Sequence, residues 1–253
     1  MTSPESIQLH YKGYQLVGSV YSPSSSKGTV LLNHGFSSNR IGVTRSFVTL
    51  ARALVESGFS VIAYDRIGQG ESPLALADVT LDGEIAQIGA MIQEHAKTAP
   101  IHMLGHSLGG MATALAAGQY PEKVASLTLW APAAFVADEV ASGRVLGESI
   151  IPIVGGNLVD HAGQGVGAAF VESAKDFDPY DGIESYKGPV NLHHGESDQV
   201  VPIRYSEKYA ELWGERVKFR RYPDGDHGFS SLPIRKVLID ESVHGIIQAS
   251  PDC

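Results

Sequence analysis

Ile101-His102-Met103-Leu104-Gly105-His106-Ser107-Leu108-Gly109-Gly110 joins a short apolar run to a serine between two glycines, and MATALAAGQY at 111–120 follows with the composition of a buried helix. Gly105 and Gly109 flank Ser107 in the pattern G-x-S-x-G. The missing Cβ atoms let a strand and a helix close together around a serine held in a strained backbone conformation. The stretch therefore reads as strand, sharp turn and helix, with Ser107 Oγ pointing out of the turn beside the free N–H groups of the helix N-terminus. Such a place suits an oxyanion. Five residues with three fixed recur by chance, so the weight of the motif comes from its surroundings.

Two loops further along supply what a nucleophilic serine lacks. They are Gly195-Glu196-Ser197-Asp198-Gln199-Val200-Val201-Pro202 and Asp224-Gly225-Asp226-His227-Gly228-Phe229, each after a predicted strand. In open parallel sheets, functional groups collect at the carboxyl ends of strands. A serine hydroxyl is a poor nucleophile until a base takes its proton, and imidazole, with a pKa near 6.5, can do so at neutral pH. His227 is the predicted base. A carboxylate on the other ring nitrogen fixes the tautomer, a role assigned to Asp198. Its rivals are Asp224, Asp226 and Glu196: Asp226 adjoins His227 and is poorly placed to reach across the ring, and Glu196 precedes the bend of its loop.

The oxyanion needs two backbone donors, predicted to be the N–H groups of Leu108 and of Phe36 in Asn33-His34-Gly35-Phe36, after the apolar run TVLL at 29–32. Gly35 allows a tight turn there, and His34 reads as a loop anchor. His106 is expected to pack behind the serine. His193 and His194 read as structural, since no third ligand is suitably spaced for a metal, and neither metal nor cofactor is expected.

Elsewhere the pattern alternates. Runs at 7–11 and 14–21 make an N-terminal hairpin; 47–57 has helical spacing and is stopped by Gly58; 59–64 is a strand, 81–97 a helix, and 100–104 and 124–130 are strands. The loop DRIGQGES at 65–72 contains G-x-G, but Pro73 stands where a dinucleotide fingerprint needs its third glycine. Alternating strands and helices call for a parallel sheet covered on both faces. The segment at about 132–187 breaks the pattern: it is rich in Ala and Gly, contains Pro132, Pro152, Gly155-Gly156 and Pro179, and has no clear strand. It reads as an insertion folded over the site as a cap, with Phe135, Val136, Phe170 and Val171 suggesting an apolar lining, inside one domain spanning 1–253. Alternation resumes at 189–195, 205–213, 217–222 and 233–248.

The chain has 253 residues, 43% hydrophobic and 19% charged, enough for one large core. A net charge of −9 argues against nucleic acid or an anionic membrane surface as partner. The single cysteine, Cys253, excludes an intrachain disulfide and makes a thiolate metal site implausible. The opening MTSPESIQLHYKG lacks a basic region followed by an apolar run, and no segment is long enough to span a bilayer, so a cytoplasmic location is expected. The expected partner is a small molecule, and a homodimer is compatible with the chain.

HGF after the third strand, DRIGQGES after the fourth, GHSLGG at the turn, then HGESDQVVP and GDHGF resemble the α/β-hydrolase superfamily over most of the chain. The resemblance implies a mostly parallel sheet of about eight strands with helices on both faces and a small cap. It also implies a serine hydrolase with Ser107, Asp198 and His227 as the triad. HGFSSNR, the APAAF stretch after the sixth strand and the modest cap are similar to bacterial cinnamoyl (feruloyl) esterases. In that family the cap holds the aromatic acyl group; Asp138 stands where a polar group would meet a phenolic hydroxyl, Phe135 and Phe170 would line the pocket, and Phe170 replaces the family's tyrosine. Aryl or hydroxycinnamoyl esters are thus implied. General short-chain esterases, monoacylglycerol lipases, C–C hydrolases and cofactor-free peroxidases share the core motifs, as do non-catalytic receptors on the same fold.

Overall fold

The computed structural model describes residues 3–250, so Cys253 lies outside the described residues. Strands β1 (Glu5–Tyr11) and β2 (Tyr14–Tyr21) form the expected antiparallel hairpin, turning on Lys12-Gly13 with both residues at positive φ. Then β3 (Thr29–Asn33), α1 (Ser46–Glu56), β4 (Ser60–Tyr64), α2 (Leu81–His95), β5 (Ile101–His106), α3 (Leu108–Gln119) and β6 (Val124–Trp130) alternate as the periodicity predicts. A segment of short elements follows: α4 (Val136–Ala141), β7 (Arg144–Val145), β8 (Glu148–Ser149), β9 (Asn157–His161), β10 (Gln164–Gly167) and α5 (Ala168–Ser173). Regular alternation resumes with β11 (Val190–Gly195), α6 (Arg204–Trp213), β12 (Val217–Tyr222) and α7 (Leu232–Gln248).

One sheet takes eight strands in the order β1-β2-β4-β3-β5-β6-β11-β12. Only β2 runs against its neighbours, β1 and β4; the remaining pairs are parallel. All six residues of β5 are buried, as expected of a central strand with helices on both sides. On one face α2, α3 and α6 bury Ile85, Ile88, Met111, Leu115, Tyr209 and Trp213. On the other, α1 and α7 bury Phe47, Leu50, Leu54, Leu238 and Ile246. The register sets Asn33 beside Gly105, His106 beside Trp130, and Gly195 beside Tyr222. Because β3, β5, β11 and β12 share one direction, the loops after Asn33, His106, Gly195 and Tyr222 leave from the same edge of the sheet.

The segment 132–187 corrects the expectation that it holds no strand. Two separate antiparallel pairs, β7 with β8 and β9 with β10, turn on Leu146-Gly147 and Ala162-Gly163, with all four residues at positive φ. Two-residue turns with paired positive φ match the twist of a hairpin. The strands run from 2 residues in β7 to 5 in β9, too short to display an alternating pattern. Gln164 Nε2 donates to Ser37 Oγ at 3.1 Å, and Ser173 Oγ accepts from the Leu81 N–H at 3.0 Å, tying the segment to the loop after β3 and to the start of α2.

Candidate active site

Ser107 sits between β5 and α3 at φ 56°, ψ −126°, a conformation that costs a non-glycine residue about 1–3 kcal/mol and persists only where its surroundings impose it. They do so through the backbone. Ser107 N–H donates to Trp130 O at 2.9 Å, while Ser107 O accepts from the N–H groups of Gly110, Met111 and Ala133 at 2.9, 3.1 and 3.0 Å. The two glycines of the motif serve close approach. A Cβ on Gly109 would lie 2.0 Å from His34 O, and one on Gly105 would lie 2.4 Å from Gly109 O. A Cβ on Gly35 would come within 3.2 Å of Ser107 Cβ, so the loop after β3 lies directly beside the serine.

The loops after β11 and β12 bring Asp198 and His227 to Ser107. His227 Nε2 is 2.9 Å from Ser107 Oγ, and Nδ1 is 2.7 Å from Asp198 Oδ2. Asp198 Oδ1 accepts from the N–H groups of Val200 and Val201 at 2.8 and 2.9 Å. Burial opposes its ionisation, but the ring N–H groups of His194 and His227 outweigh that cost and hold the carboxyl well below the usual carboxylate range. An ionised carboxylate only accepts, so His227 Nδ1 carries the hydrogen and Nε2 is left to receive the Ser107 proton. Of the rivals, Asp226 Oδ1 accepts from Ser230 N–H at 2.7 Å within its own loop, and Asp224 and Glu196 are exposed.

Further residues support this line without touching Ser107 Oγ. His106 Nε2 donates to His227 O at 2.9 Å, and the two rings lie 5.0 Å apart. His106 therefore packs against the histidine of the site, a finer placement than "behind the serine". Burial first, then the neighbouring His227, pushes its pKa down to about 3, so it is neutral. Arg235 of α7 donates to the carbonyls of Phe229 and Gly228, each at 3.0 Å. Neither role is visible in spacing, because the partners are backbone carbonyls, 121 residues away for His106 and in the loop ahead of α7 for Arg235. His34 anchors its loop as expected: its Nδ1 donates to Gly35 O at 2.7 Å, and its Nε2 accepts from Arg66 N–H at 3.2 Å. Burial, reinforced by Arg66, drives the His34 pKa well down. Arg66 also donates to His34 O and pairs with Glu84 at 2.7 Å, both side chains fully buried. In the DRIGQGES loop, a Cβ on Gly70 would lie 2.2 Å from the Asp65 carboxyl carbon, so this glycine accommodates a carboxylate of the chain itself.

An apolar cavity of about 30 Å³ adjoins Ser107, walled by Phe36, Leu108, Phe135, Val136, Leu146 and Phe170 among others. The first-turn N–H of Leu108 has no acceptor within its own helix, and Phe36 lines the same cavity. Phe36 and Phe170 pack with ring centroids 4.6 Å apart. Asp138 does not line this cavity. It is exposed, its Oδ2 accepts from Tyr205 OH at 2.6 Å, and with Val171 it lines a separate cleft of about 610 Å³. The reason is helical: Phe135, Val136 and Glu139 share the face of α4 toward Ser107, which turns 137, 138 and 141 away. Glu139 is the carboxylate that reaches the cavity wall, with Oε1 accepting from Gly147 N–H at 2.6 Å.

A family model described as alpha/beta hydrolase fold matches residues 28–147. Over 93% of its length the chain is 23% identical to a monoacylglycerol lipase of Mycolicibacterium smegmatis, covering 94% of that protein. Over 49% of its length it is 27% identical to the monoacylglycerol lipase ABHD6 of Homo sapiens. The chain spans 22% to 36% of the length of several curated relatives, the human lipase at 36%. Among solved structures, Est1E from Butyrivibrio proteoclasticus with ferulic acid bound superposes with a TM-score of 0.84 at 23% identity, covering 95% of this chain and 99% of that one. Among the described residues, no helix is long and apolar enough to cross a membrane.

Proposed function

We propose that this chain, which has the α/β-hydrolase fold and resembles the cinnamoyl esterases, is a serine carboxylesterase working through an acyl-enzyme. The observation that carries the reading is the unbroken line from Ser107 Oγ through His227 to an ionised, buried Asp198. Ser107 Oγ attacks the ester carbonyl carbon as its proton passes to His227 Nε2, and the N–H groups of Leu108 and Phe36 receive the oxyanion. Collapse of the tetrahedral intermediate releases the alcohol, which takes the proton from His227. Water, deprotonated by the same ring, then attacks the acyl carbon and regenerates Ser107 with release of the acid.

Two ester classes suit this machinery. Aryl or hydroxycinnamoyl esters are supported by the sequence resemblance and by the likeness to Est1E with its ferulic acid. Short-chain esters are favoured by the cavity, since about 30 Å³ holds little more than a small acyl group and ligand pockets for larger molecules run to hundreds of Å³. The geometry supports short acyl groups best; an aromatic acyl group needs Phe36 and Phe170 to part. Likeness to monoacylglycerol lipases supports a glycerol ester as the alcohol side. Turnover on p-nitrophenyl acetate, p-nitrophenyl butyrate, methyl ferulate and a monoacylglycerol tests the choice. The proposal expects acetate and butyrate esters to lead, and a preference for methyl ferulate would overturn the short-chain assignment while keeping the esterase.

A further inference from the structure

His194 stands at the end of β11, four residues before Asp198, and its side chain is fully buried. Its ring meets three polar atoms. Nδ1 lies 2.6 Å from Ser206 Oγ on α6, and Nε2 lies 2.9 Å from Val201 O and 3.3 Å from Asp198 Oδ2. These neighbours fix the tautomer. A carbonyl and an ionised carboxylate can only accept, so the proton is on Nε2, and Nδ1 must accept from the Ser206 hydroxyl. The ring thus turns one N–H toward both the carbonyl that closes the 198–201 turn and the carboxylate oxygen that faces His227.

The two oxygens of Asp198 are held differently. Oδ1 takes two backbone N–H groups from its own turn, at Val200 and Val201. These donors belong to the same turn as Asp198, so they fix the carboxylate relative to the turn and leave the turn itself to be held from outside. Oδ2 is met by His227 Nδ1 and by His194 Nε2. We propose that His194 is the positioning residue for Asp198: its Nε2–H pins both the 198–201 turn and Oδ2 where that oxygen orients His227. This inference rests on the esterase reading of the same site. Water does not replace the lost donor, because both side chains are shielded, His194 at 0% and Asp198 at 1% exposure.

The test compares His194→Leu, His194→Gln and Ser206→Ala with Ser107→Ala in the full chain. It reads kcat and KM on p-nitrophenyl acetate and the downfield proton resonance of the His227 Nδ1–H bond. His194→Leu is expected to lower kcat about 10- to 100-fold, the scale of a lost hydrogen bond to a charged group, with KM within about twofold. The downfield resonance should broaden or move. His194→Gln, whose amide N–H reaches toward the same acceptors, should recover most of the loss, and Ser206→Ala should fall between because it removes the partner that holds Nδ1 and so loosens the ring. Wild-type kcat and an unmoved resonance in His194→Leu overturn the proposal, as does a Gln variant as impaired as Leu. If the Leu variant does not fold, an unaltered kcat in Ser206→Ala overturns it. Activity surviving in Ser107→Ala would instead remove the esterase reading, leaving the resonance to decide whether His194 positions Asp198.

Discussion

At the residue scale, three side chains from three loops form one hydrogen-bonded line, and each is held by contacts that the other two do not supply. Ser107 is forced into positive φ by bonds to Trp130 and Ala133, Asp198 by its own turn and His194, and His227 by His106 on its carbonyl. Ser107→Ala is therefore expected to lower kcat by about 10⁴ to 10⁶ in protein that still folds, measured on p-nitrophenyl acetate. Asp198→Asn should cost about 10³ to 10⁴ because the His227 tautomer is no longer held. Asp226→Asn should cost far less, since Asp226 caps its loop through Ser230; the reverse ranking in folded protein would mean the acid is misassigned. The three residues were legible because each chemistry needs one residue type at a strand end. His106, His194 and Arg235 were not, since they act on backbone carbonyls or on a side chain brought close only by the fold.

At the scale of elements, the strands and long helices were readable because burial on both faces writes continuous apolar runs, as in β5, and burial on one side writes helical spacing, as at Phe47, Leu50 and Leu54 in α1. Segment 132–187 was not, because β7 to β10 are too short for periodicity and turn on Leu-Gly and Ala-Gly pairs rather than the usual Asn-Gly. Asp138 was misplaced for a related reason: without the exact phase of α4, neighbours 138 and 139 cannot be assigned to the different cavities they line. Phe36 and Phe170 pack against each other in the wall of the cavity at Ser107. Phe170→Ala should therefore raise kcat/KM for methyl ferulate relative to p-nitrophenyl acetate. It should also cost about 3–5 kcal/mol of stability, because Phe170 is buried in the main core cluster. A ratio unchanged in folded protein would show that another wall sets the acyl size.

At the scale of the whole molecule, several buried histidines tie stability to pH. Burial pushes His102 down to about 4, and burial helped by nearby positive charge pushes His106 and His193 down to about 3. His34 is driven well down for the same reasons. Each folded pKa lies below the unfolded value near 6.5, so between the two the unfolded chain binds protons that the folded chain does not. The stability these groups leave intact is full above pH 6.5 and is lost as pH falls toward 4, by up to about 1.4 kcal/mol per pH unit for each histidine. Urea denaturation at pH 7.5, 6 and 5 should show the unfolding free energy dropping progressively, and a flat profile would contradict it. The proposed role of Ser107 as the activated nucleophile of the site rests on its bond to His227. It is tested most directly by the intact mass after treatment with a fluorophosphonate, followed by peptide mapping. One rapid adduct per chain is expected, located on Ser107, absent in Ser107→Ala and strongly slowed in His227→Ala; no adduct, or one on another residue, would contradict it.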